Sequence, residues 1–280
     1  MPCYSEGKTK MSDKKSRWLG ERDGSKKLDG HSKKAKTTFF GYRRVPMGDK
    51  VNWVCRHFDT VASKYDFMNT LLSFGIHHLW KRTAIKMLGL NAGDYILDVC
   101  GGTGDLSVLA AKAVSPSGRV ILYDINRTML EVGKSKVVDS LFGKNVWYVQ
   151  GDAERISFPD QLFDAAMVGF GIRNLTHMED GFKEMYRALK PGGKLMCLEF
   201  SKPTSPLFRR LYDFYSFHIM PLLGWLIVGS RRAYTYLPES IRLFPLPEKL
   251  SSMLSKIGFS AITYRRLTNG IAVVHLAKKD

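Results

Sequence analysis

Asp98, Gly101, Gly102, Gly104 and Asp124 are the residues whose types and spacing most directly suggest chemistry, and all lie in the run YILDVCGGTGDLSVLAAKAVSPSGRVILYD from Tyr95 to Asp124. Glycines let a backbone turn tightly and approach a ligand with no Cβ in the way. An acid at the carboxyl end of a strand can accept hydrogen bonds from ribose hydroxyls, and Asp124 follows Gly104 by twenty residues, the offset of a nucleoside-binding unit. A dinucleotide site would need G-x-G-x-x-G, but Ser107 stands at the third glycine position. Asp98, ahead of the glycines, would repel a pyrophosphate and suits an ammonium group.

The elements that must position these residues follow from hydrophobic runs. Tyr95 to Cys100 and Val120 to Tyr123 read as buried parallel strands, with Leu106 to Val114 a helix between them. Asn145 to Gln150 is a third strand, and the loop after it carries Asp152 and Ala153. Phe163 to Phe170 is the fourth; Gly171-Ile172-Arg173-Asn174 then leads into a helix through Leu189. Lys190-Pro191-Gly192-Gly193 reads as a turn and Lys194 to Phe200 as the fifth strand. Ile262 to Leu267 and Ile271 to Ala277 flank Asn269-Gly270, the signal of an antiparallel hairpin. The expected fold is α/β with a mostly parallel sheet. D-x-x-G-G-T-G in that setting resembles the first motif of the S-adenosylmethionine-dependent methyltransferases of class I, which are Rossmann-like.

Composition bounds the rest. Cys3, Cys55, Cys100 and Cys197 are scattered with no C-x-x-C pair, which argues against a disulfide framework and a zinc site and fits a reducing compartment. No metal is expected. The formal net charge is +17, of which +6 falls in residues 1–40, so the excess is global and suits anionic surfaces. Residues 1–40, rich in Lys, Ser, Gly and Asp, read as a basic, unfolded tail with no signal peptide, leaving 41–280 as the enzyme domain. A solvated tail is the simplest reading, and an electrostatic tether to a membrane face the sharper one. Its acids and its lack of an Arg-rich amphipathic pattern weigh against a transit peptide.

Over residues 38–280 the sequence resembles the ubiquinone/menaquinone biosynthesis C-methyltransferases. The segment Tyr65-Asp66-Phe67-Met68-Asn69-Thr70-Leu71-Leu72-Ser73, followed by His77 and Trp80, matches that family's signature without a break. So does Arg187-Ala188-Leu189-Lys190-Pro191-Gly192-Gly193-Lys194, running on to Leu198-Glu199-Phe200-Ser201. The resemblance implies N-terminal cap helices over 41–90, a substrate lid inserted at 202–245, and S-adenosylmethionine as methyl donor. It implies that Asp98, Gly102, Thr103, Gly104, Asp124, Asp152 and Ala153 bind the cofactor, with Asp152 replacing an asparagine common in the family. Gly169 stands where the family has a serine, so that contact reduces to backbone, and Cys100 stands where the family often has alanine.

The implied reaction is C-methylation of a polyprenylated quinol ring: demethylmenaquinol to menaquinol, a 2-polyprenyl-6-methoxy-1,4-benzoquinol to its methylated product, or both. Such a carbon becomes nucleophilic when the adjacent hydroxyl loses its proton, so a base and a cation are needed. Arg173 is the candidate cation, Asn174 and Tyr65 its partners, and Asp66, His77 or His218 candidate proton acceptors; for His77 a packing role has the greater weight. Leu211 to Ser230 is apolar but interrupted by Asp213, His218, Pro221 and Gly224 and flanked by Arg209, Arg210, Arg231 and Arg232. These breaks argue against a transmembrane helix and for a lid resting on the bilayer. The implied location is the cytoplasm, peripheral to the inner membrane face, or the mitochondrial matrix in a eukaryote; a homodimer or a quinone-biosynthesis complex stays open. Two alternatives compete. An RNA or protein methyltransferase would suit the positive charge, but no nucleic-acid module is visible and none is expected as partner. A non-catalytic scaffold would have no reason to keep the cofactor cradle.

Overall fold

The structure, a computed structural model, describes residues 36–138 and 140–280. Thr37–Phe40 (β1) and Arg43–Pro46 (β2) pair as an antiparallel ribbon. The last positions of the expected 1–40 tail are therefore strand, and its residues 1–35 lie outside the described residues. Three helices follow: Lys50–Val61 (α1), Tyr65–Leu72 (α2) and Ile76–Leu88 (α3).

Seven strands form the central sheet: Tyr95–Val99 (β3), Arg119–Asp124 (β4), Val146–Gln150 (β5), Phe163–Gly169 (β6), Leu189–Phe200 (β7), Phe259–Leu267 (β8) and Ala272–Lys279 (β9). Their order is β5-β4-β3-β6-β7-β9-β8, parallel except for β9, which runs antiparallel between β7 and β8. The helices are Asp105–Val114 (α4), Arg127–Val138 (α5), Met178–Ala188 (α6), Pro206–Phe214 (α7), Met220–Val228 (α8), Arg231–Leu243 (α9) and Pro247–Ile257 (α10). The sheet is apolar on both faces because helices cover both. Along β4, Val120 and Leu122 join a core with Trp80, Leu88 and Ala110, whereas Ile121 and Tyr123 join one with Phe182, Met185 and Leu250. That alternation is the two-residue period of a strand read between two helical layers.

Three expectations need correction. Lys190-Pro191-Gly192-Gly193 is not a free turn but an irregularity inside β7: Phe163 pairs with Leu189 and Ala165 with Lys194, so the extra residues bulge out, with Gly192 at φ +78°. The helix expected to follow Asn174 directly starts only at Met178, and Ile172–Asn174 is itself a short 3-10 turn. Leu211 to Ser230 is not broken either. Tyr215–Ile219 forms a π-helical turn joining α7 to α8, giving one helical run from Pro206 to Val228. Pro221 falls just after the π-turn, where the hydrogen-bond pattern changes from π to α. Gly224 serves a close crossing, since a Cβ there would meet the Tyr234 ring at 2.1 Å. The run is long and apolar enough, by length and composition alone, to cross a bilayer, and 22% of its most apolar window is buried.

Candidate functional site

The chain reverses direction across the sheet between β3 and β6, and the crevice outside their carboxyl ends is where open α/β sheets bind ligands. Cys100 and Phe170, which leave these two strands, both hold left-handed backbone at φ +54° and +58°. Such strain collects at functional sites. A cavity of about 80 Å³ opens here, lined by Asp124, Asp152, Ala153, Gly169 and Asn174, by Tyr65, and by Val54 and Phe58 from α1.

The glycine loop is built around Asp124. Its Oδ2 accepts from the Gly102 N–H at 2.9 Å and its Oδ1 from the Asn126 N–H at 2.8 Å. Burial pushes this carboxyl up, and the two N–H groups counter that. Gly102 and Gly104 sit at φ +55° and +81°, and a Cβ on Gly104 would press within 2.9 Å of Leu122 and Val137. Asp98 is fully buried beneath the loop. Its Oδ2 accepts from Ser107 Oγ at 2.6 Å, while Oδ1 has no partner among the described residues. Burial raises its carboxyl to about 7. The residue that displaced the third dinucleotide glycine is thus the partner of Asp98. An orphaned buried carboxylate oxygen below a Cβ-free loop, with a second acid at the next strand end, fits a cationic amino acid joined to a nucleoside. Asp152 lines the cavity and also caps its own loop, Oδ1 accepting from the Glu154 N–H at 2.9 Å. A Cβ on Gly169 would lie 2.4 Å from Leu106 Cδ1, so the missing hydroxyl leaves space that leucine fills.

Thr103 is committed elsewhere: its hydroxyl donates to Asp66 Oδ1 at 2.6 Å. Asp66 also meets Lys136 at 2.8 Å, and Asp105 binds both Lys136 and Lys81, the latter at 2.5 Å. This chain of charges ties α2, α3, α4 and α5 together beside the loop. Asp66 is therefore no free proton acceptor, and it lines neither of the two cavities at the crevice.

A larger cavity of about 360 Å³ adjoins the first, and Tyr65 and Phe170 line both. Its walls are mostly aromatic and aliphatic: Trp80, Phe200, Phe208, Tyr212, Tyr215, Tyr234 and Tyr236 among them. Trp80 and Tyr215 are held in that wall by hydrogen bonds. Trp80 Nε1 donates to Thr268 at 2.8 Å and Tyr215 Oη to the Leu72 carbonyl at 2.9 Å. Two cations line the cavity, Lys81, already bonded to Asp105, and Arg173. Arg173 is held by Glu199, with Nη1 to Oε1 at 2.7 Å and both side chains nearly solvent-free, by the Phe170 carbonyl, and by Ser240 at 3.3 Å. It thus lines the cavity and neutralises a buried acid at once. Burial pushes the Glu199 carboxyl up and Arg173 opposes this. Asn174 faces the smaller cavity, and its Oδ1 accepts from Tyr236 Oη at 2.7 Å. Burial also raises the Tyr65 phenol.

Of the other proton acceptors, His77 lines the large cavity, with Nε2 3.1 Å from Thr70 Oγ1 and Nδ1 unpaired among the described residues. His218 does not line it; the ring is exposed, stacked on Phe214. Sequence reasoning missed Glu199 and His57. Glu199 lies one residue from the carboxyl end of the fifth strand, close to where Asp124 ends the second, a signal that could have found it. His57 falls in helical step with Val54 and Val61, a polar residue on an apolar face of α1.

Fold, switch-point cradle and adjoining apolar cavity define a class I S-adenosylmethionine-dependent methyltransferase. A solved methyltransferase of Thermotoga maritima, described as a possible histamine N-methyltransferase, superposes with a TM-score of 0.57 at 19% identity, covering 80% of this chain and 99% of that one; the likeness is one of fold alone. The chain belongs to the ubiE/COQ5 methyltransferase family, whose family model matches residues 46–279. It is 48% identical over 239 residues to the ubiquinone/menaquinone biosynthesis C-methyltransferase UbiE of Pseudomonas fluorescens strain SBW25, covering 85% of this chain and 93% of the relative. The protein of the same name from Hahella chejuensis is 46% identical over 243 residues, 87% of this chain and 98% of that one.

Proposed function

We propose that this enzyme transfers a methyl group to a ring carbon of a polyprenylated quinol, benzoquinol or naphthoquinol, in respiratory quinone biosynthesis. The observation that carries it is the pair of joined cavities: a nucleoside cradle opening past Tyr65 and Phe170 into an aromatic chamber lined by the cations Lys81 and Arg173, of which Arg173 is bonded to the carbonyl of the shared wall residue Phe170. When bound, S-adenosylmethionine supplies a sulfonium-activated methyl group. Asp98, the glycine loop and Asp124 would hold its amino-acid and ribose portions, and Asp152 with Ala153 its base. The chamber's residues have two tasks. They fix the ring carbon against the cradle mouth, which is a proximity effect. They also stabilise negative charge on the ring oxygen, for which Arg173 is placed without reorganisation. A guanidinium offers only N–H donors and no acceptor, so Arg173 orients and stabilises rather than accepts the proton. Tyr65, at the shared wall, and Asn174, tied to Tyr236, position the ring and the partition between the cavities.

The tail of such a quinol lives in lipid, so the chamber has to meet a membrane. The helical run from Pro206 to Val228 supports this: it lines the chamber through Leu211, Tyr212 and Tyr215, while Leu207, Phe214, Trp225 and Leu226 are exposed at 57–70%. Arg210, within its first helix, and Arg231, just past its end, are exposed. Quinone profiling by mass spectrometry of a strain lacking the gene tests the reading. Demethylated quinol should accumulate and disappear on complementation; an unchanged quinone pool would overturn it.

A further inference from the structure

The structure assigns a proton acceptor for this reaction: we propose that His57 takes the proton of the ring hydroxyl adjacent to the methylated carbon. Helix α1 borders both cavities. Val54 and Phe58 line the cradle, while His57 and Val61 line the chamber, so His57 enters the chamber at its cradle end. His77 instead stands on α3, with Ile76 and Trp80. The His57 ring is fixed by aromatic neighbours, with centroids 4.8 Å from Tyr236, 5.0 Å from Phe58 and 6.0 Å from Phe40. Neither ring nitrogen makes a hydrogen bond to a described residue, so a lone pair is available.

Burial, with Arg173 nearby, holds the imidazole at about 4, which keeps it neutral at physiological pH. Arg173 weakens this base while the chamber is empty, and an anion forming on the ring oxygen offsets that at the moment of transfer. The step balances as follows. The ring O–H bond breaks and its proton goes to an imidazole nitrogen. The freed electron pair moves through the ring to the ortho carbon, which forms the C–C bond as the C–S bond breaks with its pair retained by sulfur. The ring hydrogen of that carbon then leaves to water and imidazolium returns its proton to the ring oxygen, so one proton is released per turnover.

This rests on the quinol reading above. In the test, demethylated quinol with a short tail is methylated by the wild type, by His57→Phe, which keeps the aromatic packing, and by His57→Ala with added imidazole. General-base catalysis contributes about 10²–10⁴-fold, so His57→Phe should lose at least ~100-fold in kcat with S-adenosylmethionine affinity unchanged. Imidazole should restore the alanine variant at least ~10-fold. A His57→Phe enzyme within about three-fold of wild type, or an alanine variant that binds S-adenosylmethionine yet is not rescued, overturns the assignment to His57 alone. A wild type that leaves the quinol unmethylated overturns the quinol reading and this one with it.

Discussion

Arg173 and Glu199 show how much depends on single side chains. Removing one member of a buried ion pair strands the other, at a cost of about 3–5 kcal/mol, so Arg173→Ala should lower stability as well as activity. The two effects separate in the double variant Arg173→Met, Glu199→Met. Apolar replacement of both partners should bring the melting temperature back near wild type while methyl transfer stays lost. Recovered turnover would mean the pair serves the fold alone. Asp124→Ala leaves the Gly102 and Asn126 N–H groups without their acceptor and should weaken S-adenosylmethionine binding by about 1–3 kcal/mol in calorimetric titration. An unchanged affinity in a folded variant would remove Asp124 from the cradle.

At the level of elements, the parallel strands and the glycine turn were legible because strands buried on both faces read as unbroken apolar runs. The chamber was not. It takes side chains from α1, α2, α3, the turn after β6, and α7 to α9, and no local pattern links positions so far apart. Pro221 and Gly224 were misread as breaks, since neither the π-turn that makes Pro221 harmless nor the Tyr234 ring that requires Gly224 is visible in one dimension. The lid's outer face yields its own expectation. Trp225→Ser with Leu226→Ser should weaken binding to anionic vesicles and raise KM for a long-tailed quinol several-fold. A short-tailed analogue should be nearly unaffected; equal losses on both would place these residues in the fold rather than at the lipid. Arg209 and Arg232 are poorer probes, because one bonds the Pro203 carbonyl and the other lies over Trp53.

For the molecule as a whole, acid should be destabilising well above the carboxylate range. Burial is the leading cause that holds His57, His77 and His275 at about 4, against 6.5 in an unfolded chain. Between those values the unfolded state binds more protons, so stability falls as pH drops from about 6.5 toward 4. Asp98, raised from 3.8 to about 7, acts in the opposite sense, as do the raised carboxyls of Asp124 and Glu199, so the measured slope is the balance of the two sets. Melting temperatures measured from pH 7 to 4.5 should decline; a rise would show that the raised carboxyls outweigh the imidazoles.

Because Tyr65 and Phe170 wall both cavities and α1 serves each, occupancy on one side is expected to be felt on the other. Thermodynamic linkage then requires reciprocity: whatever factor the nucleoside imposes on quinol affinity, the quinol must impose on the nucleoside. Titrating S-adenosylhomocysteine with and without a short-tailed quinol, and the quinol with and without S-adenosylhomocysteine, should return one and the same factor, greater than one. Such coupling would let the enzyme close on a membrane-derived ring chiefly when the methyl donor is already aboard, and would make spent cofactor, which fills the same cradle, an inhibitor that gains strength as quinol accumulates.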